Sequence, residues 1–456
     1  MNFTKTFLLF FVFFLNLNAL LPSDAPSLGN PPDTHAIVTV STIEELNSAI
    51  YDAVDHTTIW VKSGSYDLTT LAQKQLSTPN NYKLTDLVIR GETGNPEDVI
   101  IEGVSATDDS ATFGIQIWDT ENVVIADMTF RRVFYHCVSI HPENGATQVK
   151  LYHLIFEDAG EQLVKVNKGT DNALEGLIIQ YCTFKYTDGV PNKSNGECYS
   201  NGISAHYVTG MILENCLFRN NYCQDSGQLC GGNILVWSKS KDTQIIGNTF
   251  YNYAQGIVLG LNEDEDDHTG GIVKNNIFYR AKTTNYQQDV SIYVISKNAK
   301  VYHNTIITED SYYAPLEVRY EFATGVVFKN NLLDSGFINY RNNAPDANQN
   351  SGNIFDVETD QFYDYDSQNF KAKNENATFV DKVDTIQECN VDFSLITRPQ
   401  GEKSDIGAFE YKLDDSNDSD NDSDDDDIVS SAQNIGAHLF GKILILFSFL
   451  LILFKF

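Results

Sequence analysis

The sequence predicts an all-β solenoid of stacked coils whose strands pair in parallel, and three observations predict it. One short phrase recurs nine times, ending MTF (128–130), LIF (154–156), CTF (182–184), CLF (216–218), NTF (248–250), NIF (276–278), NTI (304–306), NLL (331–333) and NIF (353–355), at spacings of 22 to 34 residues. A repeat of that length marks stacked units, none of which can bury its apolar face alone. Within each copy two short runs alternate in polarity, as in Gly-Ile-Gln-Ile (114–117) and Val-Val-Ile-Ala-Asp-Met (123–128), with no amphipathic helix between them. That period of two reads as strand, turn, strand in every coil. The first position of the nine endings reads Met128, Leu154, Cys182, Cys216, Asn248, Asn276, Asn304, Asn331, Asn353. Asparagines in register about 4.8 Å apart can hydrogen-bond amide to amide, which satisfies groups costly to bury. Met, Leu and Cys in the same column show that it points inward.

That asparagine ladder resembles the one carried by right-handed parallel β-helix proteins of the pectin-lyase-like superfamily. The resemblance spans roughly residues 37–411. It implies a single-stranded right-handed parallel β-helix with an N-terminal capping helix, and a polysaccharide cleft on an outward sheet face.

In chain order, residues 1–21 place Lys5 before an apolar run from Phe7 to Leu15, which reads as a secretory signal peptide. Residues 22–36 are a Pro- and Ser-rich linker. Ser41 and Glu44 have the spacing of a capping box, opening a helix with Ile43, Leu46, Ala49, Ile50 and Val54 on one face. A helix there covers the open end of a solenoid. A strand over 58–62 and a turn at Gly64-Ser65-Tyr66 complete an N-terminal cap over 37–66. Val88 to Gly103 resembles a first coil of the same proteins, and coils fill about 85–356. A C-terminal cap over 357–411 ends in Asp405-Ile-Gly-Ala-Phe-Glu-Tyr411. That heptapeptide resembles the closing motif of secreted β-helices and is expected to pack Ile406, Phe409 and Tyr411 on the last rung. The whole of 37–411 reads as one domain.

Beyond it, nine Asp within 414–427 make an acidic stalk over 412–430 that cannot bury a core. The small residues Ser430, Ser431 and Ala432, a spacer and the apolar tail 443–456 read as a GPI-attachment signal over 431–456, with Ser430 the acceptor. The sequence therefore predicts a protein on the extracellular face of the plasma membrane, touching the membrane through a lipid only. It is expected to act as a monomer.

Secretion permits disulfides and glycans. Of seven cysteines, Cys182 and Cys216 fall in the inward column and read as packed apolar groups. Cys198 lies in an inserted loop, 185–200, whose neighbour on the next coil, 219–232, offers Cys223 and Cys230 as partners. Asn192 and Asn376 head glycosylation sequons.

Function has to come from outward positions, because inward ones are committed to the core. On the first strand of each coil these read Gln116; Ser139 and His141; Lys165 and Asn167; Ser204 and His206; Leu235 and Trp237; Val258; Ser291 and Tyr293; Glu317 and Arg319. His141 and His206 would lie roughly 10 Å apart, with Lys165 between them. A glycoside hydrolase needs two facing carboxylates, and these columns offer Glu317 alone, which argues against hydrolysis. A uronate lyase needs a base beside a carboxylate-bearing carbon and a group to stabilise the developing charge. Lys165 as base, assisted by His141, His206 or Arg319, meets that need, with Asn167, Trp237, Tyr293 and Gln116 holding substrate. The motif pairs of known pectate and alginate lyases are absent, so a second reading stays open: a non-catalytic glycan-binding or adhesion protein using Trp237 and Tyr293. No organic cofactor is implied. Calcium is the one ion suggested, through the acidic loop Asn262 to His268. The net charge of −31 excludes nucleic acid as a partner and opposes polyuronates unless a local basic patch intervenes.

Overall fold

The computed structural model describes residues 22–412, apart from 171–172, 193–195, 226, 284 and 346–349. The expected signal peptide, most of the acidic stalk, Ser430 and the lipid-attachment signal lie outside those residues. Each coil supplies one strand to a ten-stranded parallel sheet and two strands to a larger parallel sheet. A four-stranded parallel sheet joins them over the middle coils. This is the single-stranded right-handed parallel β-helix expected.

The two strands in the larger sheet are separated by a two-residue bend, as between Ile178–Gln180 and Thr183–Lys185. The first bend residue takes left-handed backbone in successive coils: Tyr181, Asn215, Gly247, Asn275, His303 and Asn330, with φ from 50 to 62°. The second is the ladder residue. Asn248 donates to Asn276 at 3.0 Å, then Asn276 to Asn304, Asn304 to Asn331 and Asn331 to Asn353 at 2.9 Å each. Each side-chain oxygen also accepts the neighbouring ladder residue's backbone N–H, as Asn248 does from Cys216 at 2.9 Å. Where the asparagines stop, Cys216 Sγ accepts the Cys182 N–H at 3.4 Å, so both cysteines are buried and packed as expected. Beside the ladder, Phe184, Phe218, Phe250 and Phe278 stack with centroids 4.4 to 4.9 Å apart, one ring per coil. The ring spacing matches the rung spacing of about 4.8 Å.

At the N-terminal end the helix Ile43–Tyr51 buries Ile43, Leu46 and Ile50. It packs against the strands Ala36–Val40, Thr57–Val61 and Leu76–Ser77. Its cap lies one residue later than the sequence suggested. Thr42 accepts the Glu45 N–H at 3.1 Å, while Glu45 reaches back to the Ser41 N–H at 2.8 Å. Val54 falls beyond the helix and is 62% exposed. The expected turn at Gly64 is instead the strand Gly64–Asp67, paired in parallel with Val99–Glu102.

The C-terminal motif also differs from expectation. Ile406, Ala408 and Phe409 pack with Ile277, Ile307 and Leu332, from three different coils, so the segment lies along the flank of the solenoid rather than on its last rung. Gly407 N–H donates to Asn330 O at 2.8 Å and Ala408 N–H to Thr305 Oγ1 at 2.9 Å. The fully buried Arg398 pairs with Glu410 at 2.7 Å and reaches Asn275 Oδ1 at 3.3 Å. Asn192, in the first inserted loop, is half-buried, whereas Asn376 is exposed.

Candidate functional site

The outward columns read from the sequence are real. On the ten-stranded sheet the register runs Gln116, Ser139, Lys165, Ser204, Leu235, Val258, Tyr293, Glu317, Asn339. The neighbouring column pairs His206 with Trp237. This face is less open than alternation alone implies. Gln116, Ser139, His141, Ser204, Val258, Tyr293 and Glu317 are all buried, because loops and long side chains cover the sheet. Ser291 leaves the face altogether, its hydroxyl meeting buried Tyr253 at 2.7 Å.

The candidate residues separate into three groups. In the first, His141 stacks on Trp118 with centroids 3.5 Å apart, and its Nδ1 lies 2.8 Å from Glu143 Oε1. Asn167 Nδ2 is 2.9 Å from the same ring nitrogen, while Ser139 Oγ is 3.1 Å and Gln116 Nε2 3.5 Å from Nε2. Burial would raise the Glu143 carboxyl, but hydrogen bonds led by the one from His141 hold it below its usual range. Every polar atom of this imidazole is occupied by protein.

In the second group Lys165 Nζ lies 2.7 Å from His206 Nε2 and 3.4 Å from Ser204 Oγ. The lysine does not stand midway between the two histidines. It turns to His206, while Glu161 lies 3.8 Å from His136. Burial lowers the Lys165 ammonium to about 8, against a smaller opposing pull from Glu161. Burial, followed by the charges of Lys165 and Lys168, lowers His206 to about 4. At neutral pH the imidazole is therefore uncharged and accepts from the Lys165 ammonium, which becomes the free amine as pH rises through about 8. The His206 ring lies 4.4 Å from that of Trp237.

In the third group Arg319 pairs through Nε with the buried carboxylate of Glu317, and its guanidinium lies 4.4 Å above the Tyr293 ring. Arg341 Nη1 at 3.4 Å and Asn339 Nδ2 at 3.0 Å complete the shell of Glu317. The register puts Glu317 five coils from Lys165, about 24 Å at the usual rung spacing. Arg319 thus cannot assist at Lys165, which corrects the expected single constellation.

A groove of about 440 Å³ runs from Ser204 and Trp237 to the third group, lined also by Leu235, Tyr293, Arg319 and Tyr320; Lys165 and His206 lie beside it, against Ser204 and Trp237, and do not line it. Trp237 Nε1 has no hydrogen-bond partner among the described residues, although the atom is buried. One wall holds Cys198 and Tyr199. Cys198 is bonded to Cys223, which decides between the two partners the sequence allowed and leaves Cys230 as a buried thiol. In the acidic loop, Asp267 accepts the N–H groups of Ser238, Leu261 and Asn262 at 2.6 to 2.9 Å. Its carboxylate holds the loop through these backbone contacts.

Sequence reasoning missed Trp118, Glu143, Asn339 and Arg341. Trp118 and Glu143 lie just beyond strand ends, where no periodicity marks them. The alternation in Ile338–Arg341 was a signal for the last two.

Among solved structures the chain is similar to a pectate lyase, Pel9A, with a TM-score of 0.55 and 12% identity over 83% of this chain and 97% of that one. It is also similar to a mannuronic acid specific polysaccharide family 6 lyase from human gut microbiota, at 0.40 and 16% over 62% and 66% of the two chains. A rice weevil pectin methyl esterase follows, at 0.36 and 11% over 59% and 83%. No protein-family model matches the sequence, and neither does any curated protein. The first of these likenesses supports the fold, a right-handed parallel β-helix.

Proposed function

We propose that this chain is a secreted, lipid-anchored polysaccharide lyase of the cell surface that cleaves uronic-acid-containing glycans by β-elimination. The observation that carries the reading is the desolvated Lys165–His206 pair packed against Trp237, whose indole lines an aromatic groove. In the reaction Lys165, as free amine, takes the proton from the carbon beside the substrate carboxylate. The glycosidic C–O bond on the adjacent carbon breaks, a carbon–carbon double bond forms, and the departing oxygen gains a proton. His206 holds the amine in place as a neutral acceptor. Trp237 and Tyr293 offer stacking faces for sugar rings, and Arg319 stands further along the groove. The anchor at Ser430, glycans at Asn192 and Asn376, and an extracellular location belong to the same proposal.

A specific observation also favours glycan binding without catalysis. Glu317 already takes up the charge of Arg319, so the groove offers mostly aromatic and polar contact to a ligand. The deciding experiment incubates the full chain with a panel of polyuronates and glycosaminoglycans, with and without calcium, and follows ultraviolet absorbance of the unsaturated product. A signal abolished in Lys165→Ala supports the lyase. Retained glycan binding with no product across the panel establishes the adhesion reading instead.

A further inference from the structure

We infer that His35, His56 and Asp86 form a surface site for a divalent transition metal, zinc by preference, near the N-terminal end of the solenoid. The inference is independent of any reading of the groove. The three residues immediately precede Ala36, Thr57 and Leu87, which pair in register on three successive rungs. Their side chains therefore converge by construction. His35 Nε2 lies 3.0 Å and His56 Nδ1 2.8 Å from the same oxygen of Asp86, and the three ligand atoms all lie within 4.8 Å of one another. Two imidazoles and one carboxylate, with remaining positions open to water, are a donor set suited to zinc.

The surroundings orient each ligand. His35 Nδ1 is 2.8 Å from the hydroxyl of buried Thr58, which can accept its proton and leave Nε2 free for a cation. Asp86 Oδ1 accepts from Asn122 Nδ2 at 2.9 Å, so its other oxygen faces the histidines. His35 is buried, whereas the His56 side chain is 56% exposed, giving the site one fixed and one accessible imidazole.

His56, Asp86 and Asn122 occupy a left-handed corner, at φ of 59, 64 and 59°. Further down the stack the same corner holds Gln148, Gly176, Gly210, Asp242, Gly270, Asn298 and Gly325, mostly glycine, aspartate and asparagine, which tolerate that backbone. Histidine enters the column only at its first two rungs, where the side chains meet a carboxylate. Among the described residues the strand Ala36–Val40 pairs with one other strand, Thr57–Val61, and a bound ion would tie it across three rungs.

The test is titration of the untagged full chain with zinc ion against a chromophoric chelator, together with thermal melting. We expect one zinc per chain and a melting temperature that rises with zinc. His56→Ala and Asp86→Asn should each weaken binding by about tenfold or more and abolish the rise, and Thr58→Val should weaken binding by about tenfold. His56 is exposed, so its variant should melt near the wild-type temperature without zinc, which separates loss of the site from loss of the fold. Absence of stoichiometric binding, or wild-type affinity in either ligand variant, overturns the site.

Discussion

His141 and His206 lie two rungs apart on one face, each after three residues that read inward, outward, inward. Their neighbours make them different groups. His141 meets a carboxylate, an amide and a flat indole, and every polar atom is engaged within the protein. His206 meets an amine with a lowered pKa and packs against Trp237, which lines a groove. The position along the strand supplies the imidazole, and the residue next to it decides whether that imidazole fastens the structure or remains free for chemistry.

The sharpest way to break this comparison is Lys165→Ala. If the Lys165–His206 pair is the reactive one, elimination falls by about 10²- to 10⁴-fold with melting unchanged, read from initial rates of product absorbance. Removal of Cys198–Cys223 by Cys223→Ser is next. The bond closes a loop with a sequence separation of 25, and its loss should cost about 3.5 kcal/mol by chain entropy, measured by denaturant unfolding, and weaken glycan binding through the groove wall. His141→Ala should cost about 1–3 kcal/mol of stability, because Glu143 loses its partner, yet leave the rate within about twofold. A large loss of rate with intact stability would reverse the roles of the two histidines.

The smallest effects concern pH. Lys165 must be unprotonated to act as a base, so kcat/KM should climb as pH rises through about 8 and level off above it. His206→Ala admits water, lifts the amine toward the ordinary lysine range and moves that climb to higher pH, with a loss of about tenfold at pH 8. A profile flat between pH 6 and about 9 would remove Lys165 as the base.

Much of the fold was legible because a solenoid writes its geometry into sequence at fixed intervals. Asn248 to Asn353 name their own ladder, and alternation alone identified Lys165, Ser204 and His206 as neighbours on one face. What periodicity could not supply lies at strand ends and in inserted loops. Trp118 and Glu143 decide the environment of His141 from turns. Glu317 neutralises Arg319 although both stood in the outward columns, because alternation gives direction but not charge balance. The covering of Ser139, Ser204 and Glu317 is likewise tertiary. The cap at Thr42 instead of Ser41 is a one-residue choice between two hydroxyls in sequence, settled by which places Glu45 within reach of the preceding N–H.

The segment ending at Tyr411 has a mechanical consequence. Repeat proteins held only by nearest-neighbour contacts can be peeled one unit at a time. Here Gly407, Ala408 and Arg398 are fastened to Asn330, Thr305 and Asn275, in three different coils. A pull on the C-terminal end would load those attachments together, in shear along the axis, so the terminal coil is shielded from being unzipped first.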